Sequence, residues 1–258
     1  MTSFLAEDIL EDCISFALNN EIDWTRDNSS PWGIHEDDMP PWNSMRGPVF
    51  PRGGVSGAVV LNGENLISWG DFRRPDLTFS VAKTYLAVLC GLAFDAGLIR
   101  DIDECVETSL PGIGFDSSHN KSVTWRHLLH QTSEWEGVCC GVPDQVDHYR
   151  YLSFQDSQYR SNLQKGTKRK LNDPGTYWEY NDVRINQLSL ALLHLFRQPL
   201  DEVFEQRILA PIGCSCDWAW TPYADAHINI DGISMPTLPG GSHWGGGVRI
   251  SSQDQVLI

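Results

Sequence analysis

The stretch Thr78–Ile99, TFSVAKTYLAVLCGLAFDAGLI, decides how the rest of the chain is read. It places Ser80 and Lys83 three residues apart at the head of a long apolar run. Residues three apart on a helix share a face. Ala82, Tyr85, Leu86, Val88, Leu89, Leu92 and Ala93 make the run apolar on nearly every side, the pattern of a buried helix. Gly97 supplies its stop. A serine hydroxyl at the start of such a helix lies at the positive end of the helix dipole, which favours a developing anion. Lys83 is drawn toward an apolar interior. Desolvation is expected to lower its pKa, and a neutral lysine can take a proton from serine. The alternative is structural: Ser80 caps the helix and Lys83 snorkels outward. A second Ser-x-x-Lys match, Ser118 and Lys121, lies in the polar run FDSSHNKSV, where nothing would fix two side chains or exclude water.

Composition narrows the class. The chain has 258 residues, 41% of them hydrophobic, enough to bury a large core. A net charge of −15 argues against nucleic acid or an anionic membrane as the main partner. The one basic cluster, Lys165–Lys170 (KGTKRK), is expected to be a solvated loop. MTSFLAEDILEDC has neither the basic head nor the apolar centre of a signal peptide, and no apolar run approaches the ~20 residues that cross a bilayer. Seven cysteines at irregular spacing, without an export signal, predict free thiols in a reducing compartment, hence a cytoplasmic location. Cys139-Cys140 and Cys214-Ser215-Cys216 lack zinc-site spacing, and no metal or organic cofactor is expected.

Working outward, residues 3–20 carry apolar positions at helical spacing. Residues 26–53 are rich in Pro, Gly and Trp without periodicity; Trp32 and Trp42 pack either over a pocket or as a surface wrap. Residues 55–70 read as a hairpin turning at Asn62-Gly63. Residues 183–197 and 200–209 read as helices, the second closed by Pro211 and Gly213. Only short strands are expected beyond residue 217. Two strands make a poor sheet, so either the fold is mostly helical or strands that complete a sheet lie outside this sequence.

A second constellation sits at residues 171–193, LNDPGTYWEYNDVRINQLSLALL, a turn and then a helix with Tyr180, Asn181 and Asp182 at the junction. A tyrosine held near a serine–lysine pair can carry the proton between nucleophile and leaving group. With Leu77–Ile99, the segments VTWRHLLHQTSEWEG (123–137), PGTYWEYNDVRINQLSLALL (174–193), PLDEVFEQRILAPIG (199–213) and GGSHWGGGVRISSQDQ (240–255) occur in an order that resembles the serine beta-lactamase and penicillin-binding-protein superfamily, especially its class C-like esterases and short-amide hydrolases.

The resemblance implies an α+β fold of beta-lactamase/transpeptidase type, a helical domain beside an antiparallel sheet flanked by helices. It implies one domain over residues 1–258, with the α/β part up to about residue 75 and mostly helix and loop from 76, and with the sheet incomplete because the C-terminal strands and helix are absent. It implies Ser80 as acylated nucleophile, Lys83 as its base and Tyr180 as proton carrier. Asn181 and Asp182 fall among the substrate-binding positions. The family's Tyr-x-Asn motif reads Tyr180-Asn181-Asp182 here, so an amide donor is lost at the third position. His243, Trp244 and Gly245 look like a His-x-Gly third motif. The glycine run after them resembles a segment that precedes that motif, so they are expected only to line the cleft. The implied partner is a small ester, amide or lactam. The rival reading is a truncated, non-catalytic homologue serving as a binding or scaffold protein.

Overall fold

The computed structural model describes residues 7–22, 25–27, 38–150, 164–241 and 244–258; Trp32 and His243 lie outside them. Helix α1 (Glu7–Asn19) is followed by a hairpin of β1 (Gly57–Leu61) and β2 (Glu64–Trp69). Asn62 and Gly63 link the two strands with φ of 53° and 81°, the left-handed pair that a two-residue hairpin turn requires. Then come β3 (Pro75–Leu77), α2 (Ala82–Asp95), α3 (Val106–Ser109), α4 (Trp125–Leu129) and a tiny hairpin, β4 (Val138–Cys139) with β5 (Val142–Pro143). The second half contains α5 (Asp182–Phe196), α6 (Leu200–Phe204), α7 (Ala210–Ile212), β6 (Ala219–Thr221), β7 (His227–Ile230), β8 (Ile233–Pro236), β9 (Gly247–Ser251) and α8 (Ser252–Gln255). Helices mix with antiparallel strands, as the α+β class demands, but the sheets are fragmentary.

Strand β9 brings together segments far apart in the sequence. It lies between β3 and β6, antiparallel to both, with Leu77 and Ala219 each opposite Arg249. Ser251 ends it by accepting from the Asp254 N–H as N-cap of α8, and Asp254 also takes bonds from the Ser215 N–H (2.8 Å) and hydroxyl (2.6 Å).

The core is built on α2 and α5. Tyr85, Leu86, Leu89 and Ala93 of α2 are buried, as are Val183, Leu188, Ala191, Leu192 and Leu193 of α5. Tyr85, Phe204 and Trp220 add an aromatic cluster with centroids 5.4–6.5 Å apart. Gly97 stops α2 as expected: at φ 71° it lets the Leu98 N–H reach back to the Ala93 carbonyl (2.9 Å), satisfying a carbonyl the helix leaves open. Gly213, at φ 78°, does the same service after Pro211.

One part of the interior is ionic. Glu134, fully buried, accepts from Arg184 (2.9 Å), Arg169 and the Asn172 N–H (2.7 Å), while Arg169 also binds Glu179 (2.6 Å). Arg184 further reaches Asp144 (3.2 Å) and the Trp135 carbonyl (2.9 Å). The basic cluster at 165–170 is a loop with Lys168 and Lys170 exposed, as expected, but its other two cations are not solvated. Arg169 sits inside this network, and Lys165 pairs with Asp38 and, at 3.5 Å, with Asp147. Buried charge is tolerated only when matched, and the carboxylates that match it come from distant parts of the sequence. The network ties the 134–147 segment to the first turns of α5, where the candidate site begins.

Candidate active site

Ser80 is delivered by an abrupt change of backbone direction. Thr78 extends β3, its N–H and hydroxyl both donating to the Val248 carbonyl (2.8 and 3.0 Å). Phe79 then adopts φ 49°, a left-handed conformation that costs a non-glycine residue of order 1 kcal/mol and persists where surrounding structure enforces it. Residues Phe79–Val81 make one 3-10 turn that runs into α2. Ser80 stands at the joint, and its side chain caps nothing. Lys83, one turn on, donates to Ser80 Oγ at 3.1 Å. Neither capping nor snorkelling describes the pair, since Lys83 is only 13% exposed at its side chain.

Asp182 completes the centre. Its carboxylate is 2.6 Å from Lys83 Nζ on one oxygen and 2.6 Å from Arg150 Nη1 on the other. The Asp182 N–H donates to Asp147 (2.8 Å), and Asn181 caps α5 by accepting from the Arg184 N–H (3.1 Å). Asn181 also donates to the Asp144 carbonyl (2.9 Å) and is wholly buried, so it shapes the helix start and offers no face to a substrate. Tyr180 stands against both cations: Lys83 Nζ lies 4.7 Å and Arg150 Cζ 4.9 Å from its ring centroid. Ser80, Lys83, Tyr180 and Asp182 are thus gathered at one point, whereas Ser118 and Lys121 are both exposed.

The electrostatics reverse one expectation. Burial does push the Lys83 ammonium toward its neutral form, but the Asp182 charge, with a smaller part from Tyr180, outweighs it, and the pKa is raised above the ordinary lysine value. Lys83 therefore rests as a cation and donates to Ser80. Aspartate where the motif usually has asparagine is the cause.

Two expected cleft residues serve packing instead. Trp244 is fully buried, its indole N–H donating to the Trp42 carbonyl and its ring meeting Tyr223 edge-on at 6.4 Å. Gly245 presses on the backbone of Gly47, where a Cβ would come within 2.3 Å of the Gly47 carbonyl oxygen. Trp42 also borders a cavity of about 250 Å³ with Asp38, Val146 and Lys165, so the aromatic segment does adjoin a pocket, one that Ser80 does not line.

Sequence reasoning missed Gly241. A Cβ there would lie 3.0 Å from Lys83 Nζ, 3.4 Å from Ser80 Oγ and 3.5 Å from Asp182 Oδ1. Its backbone thus roofs the centre, and neighbouring Gly240 is anchored by donating to Asn186 (3.0 Å). The glycine pair in PGGS was the available signal. Arg150 was missed too, since nothing local marks it.

A family model described as Beta-lactamase matches residues 52–251. This chain belongs to the beta-lactamase family. Solved structures similar in fold to this beta-lactamase family member include a beta-lactamase/D-alanine carboxypeptidase from Pseudomonas syringae (20% identity, TM-score 0.52), covering 78% of this chain and 58% of that one. Another is a protein provisionally assigned as a 6-aminohexanoate-dimer hydrolase from Bacillus anthracis (15%, TM-score 0.51), covering 78% and 52%. The chain thus spans little more than half the length of these relatives. No curated protein matches it. At such identities the likeness shows the beta-lactamase/transpeptidase-like fold. Among the described residues no helix is long and apolar enough to cross a membrane.

Proposed function

We propose that this beta-lactamase family member is an acyl-transferring serine hydrolase that uses Ser80 as nucleophile on a small ester or amide. The observation that carries the reading is the 3.1 Å contact between Ser80 Oγ and Lys83 Nζ, with the Asp182 carboxylate 2.6 Å behind the lysine. Ser80 Oγ attacks the carbonyl carbon while a neutral Lys83 takes its proton. Tyr180, whose ring centroid lies 4.7 Å from Lys83 Nζ, passes that proton to the leaving group; water then cleaves the acyl-enzyme with the same groups in reverse. The Ser80 backbone N–H is one donor for the oxyanion, a role typically worth ~3 kcal/mol.

Because Asp182 holds Lys83 charged, only the minor neutral fraction is a competent base, and acylation is slow at neutral pH. Aspartate also lacks the amide donor that asparagine would offer to a substrate amide. Both features favour activated esters over amides and lactams. The paired, cationic lysine also lends weight to the rival reading, a binding protein that retains the constellation without turnover.

Exposure to a p-nitrophenyl ester, a short amide and a penicillin, followed by intact-mass spectrometry, separates the two readings. A hydrolase forms an adduct fastest with the ester. A binding protein forms none with any of the three.

A further inference from the structure

The tip of the β4–β5 hairpin holds two adjacent thiols outside the catalytic centre. Cys139 Sγ and Cys140 Sγ are 3.8 Å apart. Cys139 points into the core, 1% exposed, whereas Cys140, at φ 51°, is only partly buried. The Thr237 hydroxyl lies 3.1 Å from Cys140 Sγ. Arg46 approaches the same turn: a Cβ on Gly141 would be 3.2 Å from its Nη2. Nη2 binds Asp225, while Nη1 is buried with no hydrogen-bond partner among the described residues. A cation with a buried, unused N–H beside a thiol is a setting that favours a thiolate.

We propose that Cys139 and Cys140 form a redox modification site, oxidised by hydroperoxides to a vicinal disulfide. The Cys140 thiolate attacks the distal peroxide oxygen, giving Cys140–SOH and, after one proton is taken up, an alcohol or water. The Cys139 thiol then displaces hydroxide from that sulfur; the S–S bond forms and, with the thiol proton, water leaves. Two thiols are oxidised and one hydroperoxide is reduced.

The environments assign the order of events. The Cys140 thiol is pulled down to about 7 by the hydrogen bond from Cys139, with Thr237 and Arg46 adding to that against burial. Cys139 is pushed well up by giving that bond and by burial, so it waits as the resolving thiol. Adjacent Cα atoms are ~3.8 Å apart, shorter than the ~4.4–6.8 Å that disulfides usually span. The product is accordingly strained and easily reduced.

The hairpin leads directly into Asp144 and Asp147, which seat Asn181 and Asp182. Oxidation at its tip bears on the segment that positions Asp182.

The test is mass spectrometry with peptide mapping of the wild-type chain, before and after a few equivalents of hydrogen peroxide. Of the seven free cysteines, two are expected to be lost together, with the mass falling by two hydrogens, the Cys139–Cys140 peptide carrying the change, and a dithiol reversing it. Cys139→Ser should instead trap a sulfenic acid on Cys140 that reacts with dimedone, and Cys140→Ser should show neither product. Oxidation that falls first on the exposed Cys13 or Cys216, or that adds oxygen to Cys140 in the wild type without consuming Cys139, would overturn the proposal. The wild-type map suffices even if a variant fails to fold.

Discussion

Replacing Asp182 by asparagine changes one charge at the heart of the proposed mechanism. In the wild type a carboxylate oxygen lies 2.6 Å from Lys83 Nζ. At an effective dielectric constant of about 20, two unit charges at that distance attract by roughly 6 kcal/mol, and this is set against a desolvation penalty of several kcal/mol for the ammonium. The attraction prevails, and Lys83 holds its proton above the ordinary value of 10.5. Asparagine keeps an oxygen acceptor but removes the charge, so desolvation is left unopposed and Lys83 loses its proton at lower pH. Every ~1.4 kcal/mol of lost ammonium stabilisation raises the neutral fraction about tenfold at a fixed pH below the transition. The assay is the rate of acylation by a p-nitrophenyl ester across the alkaline range, by stopped flow. The wild-type rate should climb with pH up to a limb above 10.5; in Asp182→Asn the limb should move to lower pH and the neutral-pH rate should rise at least tenfold. Stability follows the same sign. A raised folded pKa contributes stability below 10.5 that is lost as pH rises through the folded value, so the alkaline loss expected of the wild type should shrink in the variant. An unmoved limb, or one displaced upward, would refute the argument that Asp182 keeps Lys83 charged.

Other expectations follow from single contacts. Gly241→Ala places a methyl group 3.0 Å from Lys83 Nζ and should cut acylation at least tenfold with a nearly unchanged melting temperature, whereas Gly240→Ala meets Ile185 Cγ2 at 2.1 Å and should lower stability by ~1–3 kcal/mol, both readable by thermal melts beside an esterase assay. Burial works to raise the Glu134 carboxyl, but Arg169, the Asn172 N–H and Arg184 hold it at about 2, against 4.5 unfolded. Its contribution, about 3 kcal/mol, is complete above 4.5 and lost as pH falls toward 2, so urea midpoints should drop steeply across that window and much less so in Glu134→Gln, itself destabilised by ~3–5 kcal/mol. Leu89→Ala, at a position with no exposure, should cost ~2–5 kcal/mol in urea unfolding.

The legible parts of the sequence were those written in local spacing. Ser80 and Lys83 sit one turn apart at the head of an apolar helix, Asn62-Gly63 marks a hairpin, and Tyr180–Asp182 open the helix that reaches them. What escaped was written across long separations. Arg169 and Lys165 looked like solvated charges because their carboxylates, Glu134, Asp147 and Asp38, are remote in sequence, and a hydropathy pattern assigns every cation to the surface. Arg184, flanked by Val183 and Ile185 near the start of α5, was the clue to a buried ionic partner. Trp244 misled in the opposite direction. An aromatic beside glycines looks like a cleft residue, yet its indole closes the core against Trp42 and Tyr223. The charge state of Lys83 also depended on a partner, since burial and the Asp182 carboxylate act with opposite signs and only their distance decides between them.

The role of Ser80 as nucleophile is tested most directly by intact-mass spectrometry after treatment with a fluorophosphonate. One adduct is expected on the wild-type chain, mapped to the peptide containing Ser80, absent from Ser80→Ala and retained in Ser118→Ala. An adduct that persists in Ser80→Ala, or a wild-type chain that takes up none at any pH up to the alkaline limb, would contradict it.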